Sequence, residues 1–252
     1  MRALFLPLVL LGIVLLLEWQ LRPHRIPPPA PPSDYVQAVP GTDVSFQMTW
    51  LPKARIWLGT HEVTWHEYEA YYFSKSAKDG TDALARPTPS YIPHDMGWGT
   101  GRMPALGISQ HAAEQYCVWL SAKTGVTYRL PTNEEWEAGR VPLEDADAEA
   151  WFADNSDGRP HEVGSKAPNA LGLHDMHGNV WEYCQGPFPG DEWDNPLMRG
   201  GSWNSSAEEI TGDVRMACPA EAWNDSDPNR PRGIWWLPDG PYVGFRVARS
   251  AD

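Results

Sequence analysis

The chain has 252 residues, 42% of them hydrophobic and 21% charged, enough apolar content to bury a core in one large domain or two small ones. The formal net charge is −13. Residues 1–34 contribute +1 (Arg2, Arg22 and Arg25 against Glu18 and Asp34), so the remainder carries −14, which repels a phosphate backbone and argues against nucleic acid as a partner. Three cysteines rule out a disulfide-dense mini-scaffold, and 14 Trp with 25 Pro point to a loop-rich fold with an aromatic interior.

The chain opens on an apolar run. Ala3 to Leu17 is 15 residues without a strongly polar side chain, and extension to Leu21 gives 19. At about 1.5 Å per residue the longer stretch reaches roughly 28 Å, enough for a bilayer core. Trp19 and Arg22 suit an interface anchor. No A-x-A site follows, and no Cys stands near the end of the run for a lipid anchor. Residues 1–22 are therefore expected to be one N-terminal transmembrane helix, embedding residues 3–21, with a cleaved signal peptide as the rival. The remainder is then expected outside the cytoplasm: in a bacterium, an inner-membrane, single-pass chain with its domain in the periplasm. Residues 23–34, PHRIPPPAPPSD, carry six prolines and read as a stiff tether.

Residues 35–252 are expected to fold as a single domain. Thr64-Trp-His-Glu67 has the form of a capping box and predicts a helix to about Ser74. Ser109 predicts a second cap, followed by Ala112, Ala113, Tyr116, Trp119 and Leu120 at helical spacing and by Gly125 as the stop. Thr132-Asn-Glu-Glu135 predicts a third, short helix with Trp136 on its apolar side. From Arg140 onward Gly, Pro, Asn and Asp recur without a period, and the final YVGFRVARS alternates as a strand does. There is no internal repeat, G-x-S-x-G elbow, Walker loop or H-E-x-x-H. The adjacent acids Glu134/Glu135 and Glu208/Glu209 read as a solvated face.

Six segments, GTHEVTWHEYEAYY (59–72), PALGISQHAAEQYCVWLSAKTG (104–125), YRLPTNEEWEAGR (128–140), PNALGLHDMHGNVWEYC (168–184), RGGSW (199–203) and VGFRVARS (243–250), together resemble the formylglycine-generating enzyme family, also called the sulfatase-modifying-factor family. The order and spacing match along almost all of residues 45–250. The resemblance implies an α+β, formylglycine-generating-enzyme-like fold, related to C-type lectins, with little regular secondary structure.

The resemblance also implies a structural calcium on GLHDMHGNVWEYC, with the carboxylates of Asp175 and Glu182 and the backbone carbonyls of Gly178 and Val180 as ligands. Calcium takes six to eight hard oxygens, and a turn at Gly178-Asn179 can aim carbonyls and carboxylates at one point. The rival is a tight turn whose acids cap backbone amides. His174 and His177 flank this loop and are expected to be structural or solvent-facing.

Formylglycine-generating enzymes oxidise a substrate cysteine with copper held by two cysteines just after the GGS motif. Thiolates suit Cu(I) because both are soft. The corresponding positions here are Ser205 and Ile210, a poor donor and no donor, and Cys184 and Cys218 lie outside the stretch. No copper is expected. The superfamily's iron branch uses an H-x3-H-x-E pattern, which does not occur. Cys117 reads as a small core residue, and a Cys184–Cys218 bridge stays open.

The leading functional expectation is a membrane-anchored, non-catalytic pseudoenzyme: a protein-interaction module or an accessory subunit of a membrane complex. Trp203, Trp223, Trp235 and Trp236 are its candidate interaction surface, with some of the four expected in the core. A metal-dependent oxidase of altered chemistry acting on an exported protein is the alternative; it needs a cleft where Ser205, Ser206, Glu208 and Arg215 converge. A carbohydrate-binding domain, with calcium and exposed Trp, is the third.

Overall fold

A computed structural model describes residues 32–74, 93–228 and 232–251, and the folded unit runs from Ser33. The expected membrane segment and most of the tether lie outside the described residues. Among the described residues no helix is long and apolar enough to cross a membrane.

Among the described residues two four-stranded sheets carry the fold. In the first, β1 (Tyr35–Ala38), β2 (Ser45–Leu51), β3 (Ile56–Gly59) and β8 (Ala248–Ser250) pair in that order, all antiparallel. The second has the order β6 (Arg215–Ala217), β5 (Pro196–Arg199), β4 (Trp181–Pro187), β7 (Val243–Gly244), and the β4–β7 pair is parallel. The expected C-terminal strand is thus two short strands in different sheets. Phe245, Arg246 and Val247 make the crossing, and all three are buried.

The helices begin where the caps predict. Thr64 caps α1 (Trp65–Tyr72), its hydroxyl accepting from the Glu67 N–H. Ser109 caps α2 (Gln110–Thr124), which Gly125 closes in the left-handed conformation at φ 73°. Thr132 and Glu135 form a reciprocal capping box on α3 (Asn133–Gly139). Two shorter helices follow, α4 (Ala146–Glu149) and α5 (Ala207–Thr211). The large core joins the inner sides of α1 and α2 to both sheets through Trp65, Tyr68, Tyr71, Tyr116, Trp119 and Phe245. A second cluster packs Trp136 of α3 on Leu51, Leu58, Leu173 and Cys184.

Candidate functional site

Ser205 and Ile210, the positions expected from the resemblance to correspond to the family's copper cysteines, lie together. A Cβ built on Gly201 would stand 3.0 Å from Ile210 Cγ2 and 3.4 Å from Ser205 Oγ. Both residues are buried. The Ser205 hydroxyl accepts a hydrogen bond from the Ser202 N–H at 3.1 Å, and the Ser205 N–H donates to the Ser202 carbonyl at 2.9 Å. The hydroxyl is thus committed to its own turn. Ile210 packs with Ala150 and Phe152. The gap beside it, against Trp136, His177, Arg199 and Gly200, has no volume for a water molecule. Ser206, Glu208 and Arg215 point into solvent while Ser205 is interior, so the convergence an altered oxidase needs does not form.

The three cysteines are free and buried. Tyr183 and Cys184 are neighbours on β4 and face opposite sides of the sheet. The Tyr183 hydroxyl meets Cys218 Sγ at 3.5 Å, while Cys184 packs with Trp136. A Cys184–Cys218 bridge is thereby excluded by strand geometry. Burial pushes the Cys117 and Cys184 thiols up, and the Cys218 thiol to about 11, so none is a ready thiolate.

The loop expected to bind calcium runs through left-handed backbone at Asp175 (φ 56°), Gly178 (φ 74°) and Asn179 (φ 54°). Gly178 is obligatory: a Cβ there would lie 2.0 Å from the Trp151 carbonyl oxygen. The expected acids divide. Glu182 is fully buried and bound on both oxygens: Arg246 Nε and Nη2 donate at 2.5 Å each, and Trp136 Nε1 donates at 2.8 Å. Arg246 also donates to the carbonyls of Gly59 and His174, both at 3.0 Å. Asp175 accepts from the Gly164 N–H on Oδ2 at 2.7 Å, while its Oδ1 accepts no hydrogen bond.

A third acid stands here that the sequence reading did not single out. Glu62, on the turn between β3 and α1, is fully buried. Its Oε1 accepts from Asn179 Nδ2 at 3.2 Å, and its Oε2 accepts nothing. Burial, then the charges of Asp175 and Glu182, pushes Glu62 well above the usual carboxylate range. Burial likewise raises Asp175. His61, beside Glu62, is held down at about 4 by burial and stays neutral near pH 7. The donor set fits a hard cation in part: Asp175 offers a bare oxygen, Glu182 does not. Among the described residues no group of three or more His, Cys, Asp or Glu is arranged to hold a metal. His174 and His177 are structural. His174 Nδ1 lies 2.9 Å from the Lys166 carbonyl, and the His177 ring nitrogens lie 2.6 and 2.8 Å from the carbonyls of Ile210 and Val141.

The four expected interface tryptophans do not form one surface. Trp203 and Trp235 are interior, which corrects their place in that set. Trp236 is half-buried against Trp65 and Tyr72, and Trp223 against Tyr242. Among the described residues the exposed tryptophan is Trp193, 81% accessible, on the β4–β5 connection. It borders an open cleft of about 620 Å³ with Asn195, Pro219, Glu221, Asp225 and Arg232. Its position amid Gly, Asp and Glu (GDEWDN) is the one signal that marks it as a loop tip.

Two small sheets linked by long ordered loops, with helices packed against the larger core, define a formylglycine-generating-enzyme-like α+β domain. Residues 43–251 match the sulfatase-modifying factor enzyme 1-like domain, and the chain belongs to that family. It is similar to "Serine/threonine-protein kinase pkn1" of Chlamydia pneumoniae, 30% identical over 140 residues, covering 44% of this chain and 21% of that one. It is also similar to "Inactive C-alpha-formylglycine-generating enzyme 2" of Bos taurus, 28% identical over 127 residues, covering 42% and 40%. The chain thus spans about a fifth to two fifths of the length of these curated relatives. The solved structure of Treponema denticola variable protein 1 shares the fold, with a TM-score of 0.58 at 21% identity, covering 88% of this chain and all of that one.

Proposed function

We propose that this chain is a non-catalytic member of the formylglycine-generating enzyme family. Residues 3–21 anchor it in a membrane, and its domain, held outside the cytoplasm, serves as an interaction module or accessory subunit of a membrane complex. The observation that carries this reading is the fate of the copper positions. Ser205 spends its hydroxyl on a backbone turn, Ile210 offers no donor, and the gap beside Ile210 has no volume for a water molecule. A relative named as an inactive enzyme fits the same reading. The exposed Trp193 at the rim of an open cleft gives a partner a flat aromatic anchor, the side chain most enriched where binding energy concentrates.

Two measurements test the proposal. Copper-loaded full-length protein is incubated with a Cys-x-Pro-x-Arg peptide and the peptide is weighed; its mass stays unchanged. The untagged chain purified in mild detergent carries a stoichiometric partner that Trp193→Ala releases. Formylglycine in the peptide, or a monomer with metal-dependent oxygen uptake, overturns the reading.

A further inference from the structure

A pocket of about 300 Å³ opens between the β2–β3 turn, the end of α3 and the loop that carries Leu171. That size lies at the lower end of the range for small-molecule sites, about 300–1,000 Å³. Leu51, Pro52, Ala138, Val141, Pro142 and Leu171 give it apolar walls. Leu51 is buried, whereas Leu171 is left 38% exposed at the pocket. Hydrogen bonds fix these walls in place. Asn169 Nδ2 donates to the Gly139 carbonyl at 2.9 Å, tying the Leu171 loop to α3. The Val141 carbonyl lies 2.8 Å from His177 Nε2, and the Arg55 N–H donates to the Leu51 carbonyl at 2.8 Å, closing the turn. The charge here is the reverse of the chain's. The chain carries −13, yet no acid lines the pocket, while Lys53 and Arg140 do. Arg140 is already neutralised, its guanidinium held by the Glu137 carboxylate at 2.9–3.1 Å. Lys53 is exposed, and so is Arg55 on the same turn; among the described residues neither meets a carboxylate.

We propose that this pocket binds the short acyl chain of a small monocarboxylic acid, with Lys53 receiving the carboxylate and Arg55 adding to the local positive field. The tail leaves water for Leu51, Val141 and Leu171, which is favourable for any apolar chain. The head remains at the mouth, where a charge-assisted hydrogen bond from the Lys53 ammonium selects an anion over a cation. The volume suits one short chain and not the paired long tails of a phospholipid, so the occupant is a free acid rather than a membrane lipid.

The test uses the full chain held in discs of neutral phosphatidylcholine and titrated with sodium octanoate by calorimetry, with empty discs as the blank. One octanoate binds per chain, and octylamine, with the same tail and the opposite charge, binds at least about tenfold more weakly. Lys53→Glu weakens octanoate about fivefold or more, because an attraction at the rim becomes a repulsion. Leu171→Asp, at an exposed position, weakens it as well by bringing an acid to the pocket. If either variant fails to fold, the comparison of octanoate with octylamine on the unaltered chain decides. Octanoate heat no greater than that of empty discs, or octylamine bound as well as octanoate, overturns the proposal. So do folded variants that bind octanoate as the parent does. Capture of the chain by phosphatidylglycerol vesicles, lost in Lys53→Glu while octanoate does not bind, also overturns it and marks a lipid-facing patch instead.

Discussion

Restoring two thiols at Ser205 and Ile210 tests whether these positions are the family's copper pair. The cost is modest. Ile210→Cys removes about two methylene-sized groups from a buried site, or about 2 kcal/mol with the small cavity left among Ala150 and Phe152. Ser205→Cys weakens the bond from the Ser202 N–H, about 0.5–1.5 kcal/mol. Together they take about 3 kcal/mol from a stability on the order of 5–15 kcal/mol, so the double variant folds. Both side chains already touch the same point above Gly201, which places the two sulfurs as neighbours. In a competition against a chromogenic Cu(I) chelator, the double variant takes one Cu(I) per chain. The unaltered protein and each single variant take none at the same competitor concentration. A folded double variant that takes no copper, or an unaltered chain that takes it as well, refutes the reasoning.

Gly178→Ala drives a methyl into the Trp151 carbonyl and forces a left-handed conformation; the loss is about 3 kcal/mol or more, read from the urea midpoint. Arg246→Met strands the buried Glu182 and costs about 3–5 kcal/mol, while adding Glu182→Leu recovers most of it; a single variant as stable as the parent on thermal denaturation contradicts the charge-pair argument. Burial raises Glu67 to about 8 from an ordinary 4.5, so the folded chain holds a proton the unfolded chain has lost. Its contribution is full below about pH 4.5 and falls as pH rises to about 8. Glu67→Gln therefore matches the parent at pH 4 and exceeds it at pH 9, by up to about 5 kcal/mol; urea curves that stay parallel across this range count against it.

The three larger helices were legible because their signals are local. Thr64, Ser109 and Thr132 each bond a backbone N–H three residues on, and Gly125 takes a conformation that other residues resist. The expectation at Ser205 and Ile210 rests on chemistry, since no hydroxyl or hydrocarbon stands in for a thiolate. The acid cluster was not. Glu62 and Arg246 come together from opposite ends of the domain, and no spacing rule links them. Period-two alternation over YVGFRVARS describes a continuous strand, whereas the chain leaves one sheet at Gly244 and enters the other at Ala248, burying Arg246 between them. Tryptophan type did not separate core from surface: Trp203 and Trp235 fill space, and Trp193 stands out in a loop whose neighbours Glu192 and Asp194 are exposed with it.

The crossing at Phe245–Val247 has a consequence for how the chain is made. Strand β8 closes the sheet begun by the first strands, and β7 closes the other, so both sheets wait on residues 243–250. Such distant pairings repay their loop-closure entropy late, which makes for slow folding. A nascent chain that has not yet reached Val243 presents two open sheet edges and a Glu182 without its arginine. The native domain therefore cannot form before residues 243–250 are available to pair, and a stop codon before Val243 yields an insoluble product rather than a smaller domain.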